Sequence, residues 1–126
     1  AAAYEKAQMP GEAAEAWLAA GKPARALDFL DRWMQAAAAG TPEGERAADG
    51  AYRLLQNARE MAGPEAERRR ALLAEAGRRF HAAGRGALAA RVMEEAGAFA
   101  EAAELFARLG NEAEARRCFG RAKGGS

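Results

Sequence analysis

Few side chains in this sequence could take part in chemistry. His81 is the only histidine and Cys118 is the only cysteine. A catalytic triad needs a histidine beside a nucleophile, and a zinc site needs several Cys or His ligands. Glu94, Glu95 and Glu101 fall on solvent-facing sides of their predicted helices, where catalysis by paired carboxylates has no geometric support. The sequence therefore predicts a protein that is not an enzyme and that uses neither a metal nor a cofactor.

A second possible chemistry is the recognition of anions. Seven arginines, against three glutamates, lie between residues 65 and 91: Arg68, Arg69, Arg70, Arg78, Arg79, Arg85 and Arg91. Such arginines could contact the phosphates of a nucleic acid. They are, however, spread around their helices and are not interleaved with exposed aromatic residues. The net charge of the chain is only +1. Binding of nucleic acid or another polyanion is therefore a disfavoured alternative.

The elements that position these residues are helices. The sequence has one Thr, one Val and no Ile, whereas strands are rich in β-branched and aromatic residues. Alanine accounts for 38 of the residues, and Ala, Leu, Glu, Arg and Gln are all good helix formers. Because alanine buries little area per contact, we expect an all-α, layered stack and no large central core.

Glycine and proline divide the chain into about eight helical segments. Proline is tolerated in the first turn of a helix, and glycine is usual just past its end. The predicted helices are 1–8, 12–20, 23–39, 43–62, 65–83, 86–96, 98–109 and 111–122. We expect one helical-repeat domain over 1–122, as a fragment of a larger protein, and a flexible tail over 123–126.

Acidic residues precede arginines by four positions at several places, which predicts salt bridges along solvated helix faces. The pairs are Asp28 with Arg32, Glu65 with Arg69, Glu75 with Arg79, Glu104 with Arg108, and Glu112 with Arg116. Asn111, with Glu114 three residues later, resembles a capping box at the start of the last helix. These charged faces are expected to lie on the surface.

An internal repeat becomes visible when the sequence is aligned on Gly21, Gly84 and Gly110. An aromatic residue lies four positions before each glycine, an alanine five positions after it, and a large apolar residue nine positions after it. The aromatic residues are Trp17, Phe80 and Phe106, the alanines are Ala26, Ala89 and Ala115, and the large residues are Leu30, Met93 and Phe119. Two helices joined at the glycine would bury these residues between them. Because one such hairpin cannot bury its apolar face alone, the units must stack.

This pattern resembles the tetratricopeptide repeat. The best unit covers residues 71–96 and matches the family through Leu73, Ala76, Gly77, Phe80, Gly84, Ala89, Met93 and Ala96. The next unit, residues 97–122, is shorter than the usual ~34 residues, and residues 34–64 fit no unit. The resemblance implies a right-handed α-solenoid of stacked antiparallel hairpins. Within it, Trp17, Trp33 and Phe119 would be core residues, and Cys118 a half-buried, unreactive thiol.

The resemblance also implies a site. The family binds peptides in a groove lined by the first helix of each unit. Transferred residue by residue, the charged groove positions are Arg78, His81, Glu104 and Arg108, and the uncharged ones are Ala74, Ala82, Ala100 and Ala107. The Lys and Asn with which some members hold a peptide carboxylate are not found here. The remaining cations suit a partner with acidic groups.

We therefore expect a non-enzymatic interaction module that docks a protein or peptide, or a second copy of itself. One alternative is a structural spacer beside a sensor or ATPase domain; the other is the Arg-rich polyanion binder. No apolar run approaches the ~20 residues that cross a bilayer, and no signal-peptide pattern is present. A single cysteine suits a reducing compartment. We therefore expect a cytoplasmic protein, and the preference for Arg over Lys, 16 against 3, indicates a bacterial origin through codon usage.

Overall fold

Seven α-helices account for most of the chain in the computed structural model, which describes residues 10–124. They are α1 (Pro10–Ala19), α2 (Pro23–Ala36), α3 (Pro42–Asn57), α4 (Gly63–Ala82), α5 (Gly86–Glu95), α6 (Phe99–Arg108) and α7 (Glu112–Gly124). The all-α prediction is confirmed. The helix predicted over 1–8 lies outside the described residues, and α7 continues into the segment expected to be a tail.

Each helix packs against its neighbour in sequence, and the most extensive contacts join α1 to α2, α4 to α5, and α6 to α7. The helix α2 departs from this order, because it contacts α4 as well as α3. The long helix α4 consequently touches α2, α3 and α5. This sequential packing is compatible with the predicted helical repeat.

The turns of the C-terminal half recur at equal intervals along the chain. Gly84, Gly97 and Gly110 all have a positive φ, between 78° and 81°. At Gly84, the glycine N–H donates to the His81 carbonyl at 3.0 Å, and the next N–H, of Arg85, donates to the Phe80 carbonyl at 2.8 Å. This pair of bonds defines a Schellman motif, and it recurs at the other two glycines and at Gly21. One helix with its turn is thus the repeating element.

In the C-terminal half, the residue four positions before each turn glycine fills the core. Phe80, Met93 and Phe106 follow the same interval as the glycines, and they are at most 6% exposed. Phe119, the next in this series, is 44% exposed, so its predicted core position is wrong. Among the described helices, α7 packs mainly against α6, and its outer face is left open. The neighbouring Cys118 takes the buried position instead.

The two tryptophans lie at the edge of the core. Trp17 and Trp33 are each half-buried and pack against the buried cluster. The ring of Trp33 lies over Gly11 and Gly50, and a Cβ on Gly50 would overlap that ring. The glycines of α1 and α3 therefore make room for a large side chain from α2.

The main polar interaction in the interior is made by Arg79 of α4, which is 7% exposed. Its guanidinium donates to the carbonyls of Met34 at 2.5 Å, Ala37 at 2.7 Å and Gly44 at 3.2 Å. It also donates to the Glu75 carboxylate at 3.0 Å. Arg79 therefore joins the C-terminus of α2 and the start of α3 to α4.

Helices α2 and α3 end earlier than predicted, α2 at Ala36 and α3 at Asn57. At the end of α3, the Leu55 carbonyl accepts from Arg69 Nε at 3.1 Å and Nη2 at 2.9 Å. At the end of α2, Arg79 donates to the carbonyls of Met34 and Ala37 in the same way. Arginines of α4 satisfy these last-turn carbonyls. Both helices can therefore end although helix-forming residues follow them in the sequence.

Long-range contacts also replace two of the five salt bridges that were predicted along single helices. Glu75 with Arg79 and Glu112 with Arg116 form as predicted. Asp28, however, pairs with Arg68 of α4 at 2.7 Å, and Arg69 contacts the Leu55 carbonyl. The guanidinium groups thus join different helices as well as pairing within their own.

The loop between α2 and α3 is held by Thr41. Its hydroxyl caps α3 by accepting from the Gly44 N–H at 3.0 Å, and it donates to the Ala38 carbonyl at 2.6 Å. Gly44 is buried directly against that loop, and a Cβ at this position would overlap the Ala38 carbonyl oxygen. Only glycine fits here.

Replacing Arg79 by Met should lower the free energy of unfolding by about 2–4 kcal/mol, because three carbonyls at the helix ends lose a charged donor. Urea denaturation followed by circular dichroism measures the change. Arg91→Met is the control, since Arg91 is exposed on α5, and it should change stability by less than about 0.5 kcal/mol. Equal effects of the two substitutions would contradict the role of Arg79.

Gly44→Ala should destabilise the protein by about 1–3 kcal/mol, because the loop must shift to admit the methyl group. Gly120→Ala is the matched control in α7, where a Cβ meets nothing within 4 Å. It should stabilise the protein by about 0.5–1 kcal/mol, since alanine is the better helix former. Thermal unfolding measures the stability of both variants. If Gly44→Ala leaves the stability unchanged, the loop does not constrain this residue.

Candidate functional site

The four charged side chains predicted from the groove register line a single cleft between α4 and α6. Arg78 and His81 come from the last turns of α4, and Glu104 and Arg108 come from α6. The cleft has a volume of about 170 Å³. Its other lining residues are Met93, Glu101 and Leu105, of which Met93 and Leu105 are buried and apolar.

Helix packing brings these residues together because α4 and α6 each pack against α5, and the long side chains of α4 reach those of α6, as Arg78 reaches Glu101. Positions 78 and 81 are three apart, as are 101 and 104, so each pair shares a face of its helix. All four predicted side chains are exposed. The cleft therefore presents charged groups around a small apolar base, an arrangement that can bind a polar segment of a partner.

The sequence did not single out Glu101 as a member of this cleft. Its carboxylate accepts from Arg78 Nη2 at 3.2 Å, and the two side chains are 48% and 52% exposed. A second carboxylate, of Glu75, lies 4.0 Å from Arg78 Nη1. No spacing along the chain signals the contact between Arg78 and Glu101, because the two residues are far apart in sequence and belong to different helices.

Glu104 and Arg108 line the cleft without forming the salt bridge predicted between them. His81 is exposed at the end of α4, where its own carbonyl accepts from the Gly84 N–H of the turn. The cleft thus holds three basic side chains, Arg78, His81 and Arg108. Among the residues that the structure describes, only Arg78 of these three has an acidic partner within 4 Å.

The alanines of the transferred register do not join this cleft. Ala74 is half-buried and packs against the core. Ala82 and Ala107 are exposed. Ala100 lines a separate cavity of about 340 Å³ beside Arg121. The four charged residues of the groove register therefore share one cleft, whereas its four alanines lie elsewhere.

Two findings on residues 10–124 bear on other kinds of site. No group of three or more His, Cys, Asp or Glu side chains in that range is arranged to hold a metal ion. None of the helices described there combines the length and the apolar character needed to cross a membrane. Neither finding assigns a function to the cleft.

Comparison with protein-family models, with curated proteins and with solved structures finds no match to this chain.

The thiol of Cys118 in α7 is fully buried, so the half-buried position predicted for it is corrected. Burial raises its pKa, and the nearby Glu94 carboxylate acts in the same direction. Since the thiolate is the nucleophile, Cys118 has little reactivity in the folded protein.

Cys118 should react with a disulfide reagent such as 5,5′-dithiobis(2-nitrobenzoate) at least about 100-fold more slowly in buffer at pH 8 than in concentrated denaturant, because a buried thiol is inert. Absorbance at 412 nm measures the rate. A native rate equal to the denatured rate would show that the thiol is exposed.

Proposed function

We propose that this chain is a tetratricopeptide-like, right-handed α-solenoid that acts as a non-enzymatic docking module for another protein. The partner places an acidic segment in the cleft between α4 and α6, where His81 and Arg108 meet its carboxylates while Arg78 stays paired with Glu101. We further propose that it does so in the cytoplasm.

The observation that carries this proposal is the convergence of the four predicted side chains on one cleft. The groove positions of the tetratricopeptide register come from two different helices, and all four charged side chains line the same cavity. Within the described part of the chain, Arg108 and His81 have no acid within 4 Å, so each could receive a carboxylate from a partner. A charge-assisted hydrogen bond of this kind contributes about 1.5–3 kcal/mol.

The contacts of the seven arginines favour a protein partner over a nucleic acid. Five of them, Arg68, Arg69, Arg78, Arg79 and Arg85, bind carboxylates or backbone carbonyls of this same chain. The single guanidinium of Arg85 contacts both Glu45 and Asp49, each at 3.0 Å. A guanidinium used in this way is less available to a phosphate. The segment is therefore better explained as a set of internal connections.

Affinity capture from a bacterial lysate, with mass spectrometry of the bound proteins, tests the proposal. The native bait should retain a partner that a bait with Arg78→Glu, His81→Ala and Arg108→Glu loses. With the purified partner, this triple variant should bind at least about 100-fold more weakly, because more than one charge-assisted contact is removed.

The matched control carries Arg53→Glu and Arg91→Glu, which change the net charge equally on exposed residues outside the cleft. Circular dichroism establishes that each variant remains helical. If the control loses the partner as readily as the triple variant, overall charge and not the cleft determines binding. A complex that weakens steeply with salt and contains nucleic acid would instead support the polyanion alternative.

A further inference from the structure

The last helix, α7, exposes a large apolar side chain at a position that is covered in the three preceding helices. Phe80, Met93 and Phe106 recur every thirteen residues, and each of them is buried. Phe119 is the next member of this series, and it is 44% exposed. Since the earlier members are covered by neighbouring helices of the stack, this side of α7 suits a further helix packed against it.

Another unit of the same repeat does not fit this side of α7 at the usual distance. Three positions before each core residue lies a small, buried one: Gly77, Ala90 and Ala103. A Cβ on Gly77 would lie 3.2 Å from the Met93 side chain, so α4 and α5 cross closely there. The corresponding residue of α7 is Arg116, whose side chain is 82% exposed. A helix that packs on α7 must leave room for this side chain.

Arginines lie over aromatic rings at several places in this protein. The guanidinium of Arg121 lies 4.3 Å from the centre of the Phe99 ring, and that of Arg85 lies 4.8 Å from the centre of the Phe80 ring. A guanidinium is attracted to the face of an aromatic ring. Because residues 116 and 119 are three positions apart, an arginine and a phenylalanine also share the open face of α7.

A second copy of the chain supplies the complement to this face. In an isologous contact, residue i of one copy meets residue j of the other, and j meets i. A two-fold axis midway between positions 116 and 119 of antiparallel α7 helices therefore places each Arg116 over the Phe119 ring of the other copy. The same axis places the acidic first turn of each α7, with Glu112, opposite the basic last turn of the other. One register thus satisfies both the ring contacts and the charges.

We propose that the face of α7 formed by Glu112, Arg116 and Phe119 joins two copies of the chain in an antiparallel dimer. One helix face per copy buries less than the ~1,200–2,000 Å² of a standard interface. We therefore expect a weak, reversible dimer with a Kd of about 0.1 mM. This inference does not depend on the proposed function, because the docking cleft lies between α4 and α6 and uses none of these three residues.

Sedimentation equilibrium of the full chain, from about 10 µM to about 1 mM, tests the dimer. Phe119→Arg should weaken self-association at least about 10-fold, because arginines of the two copies then face each other. The double exchange of Arg116→Phe with Phe119→Arg should restore association to within about 3-fold of the native chain, since it recreates both pairs across the axis. Leu109→Arg is the matched control at the end of α6, where Leu109 is 49% exposed, and it should leave association unchanged.

Circular dichroism establishes that each variant remains helical. Rescue by the double exchange, together with unchanged association of Leu109→Arg, supports the contact. A chain that stays monomeric up to about 1 mM overturns the proposal and leaves this face to a different protein. A dimer that survives Phe119→Arg uses another surface, which also overturns it. If Phe119→Arg abolishes the dimer and the double exchange does not restore it, the antiparallel pairing is wrong.

Discussion

The buried guanidinium of Arg79 is the interaction on which the arrangement of the N-terminal helices depends. Burying a charge is costly unless it is paired and hydrogen-bonded, and here three carbonyls and the Glu75 carboxylate surround it. The carbonyls at a helix C-terminus carry partial negative charge, so the end of α2 is a favourable place for a cation. Because the acceptors belong to separate segments, one side chain holds α2, α3 and α4 in a fixed relation.

This constraint also sets the position of the candidate site. Successive residues of a helix differ by about 100° in direction, and here Arg78 is exposed while Arg79 is buried. Arg78 therefore reaches α6 and meets Glu101. One turn earlier on the same helix, Glu75 binds Arg79 at 3.0 Å and also lies 4.0 Å from Arg78 Nη1. Helix α4 thus anchors the fold through one face and exposes charged groups on another.

The C-terminal helices achieve regular stacking with very short units. Each unit is a single helix with its turn, and the Schellman turns at Gly84, Gly97 and Gly110 use the same hydrogen bonds. Small residues at the helix crossings, such as Gly77 and Ala103, are buried and allow the backbones to approach closely. A Cβ on Gly77 would lie 3.2 Å from the Met93 side chain. Close packing of small residues therefore replaces the larger core that longer units would provide.

Composition and periodicity by themselves determined that the chain is helical, where most helices begin, and which of the repeat's alanines are buried, because these depend on local propensity and on the spacing of apolar residues. They also determined which charged residues share a helix face. Only the tertiary structure decided that Arg69 and Arg79 satisfy the ends of other helices, that Glu101 joins the cleft, and that Phe119 is exposed. A guanidinium binds whichever acceptor the tertiary packing brings within its reach of several ångströms. Local sequence patterns do not determine which helix will lie beside the arginine.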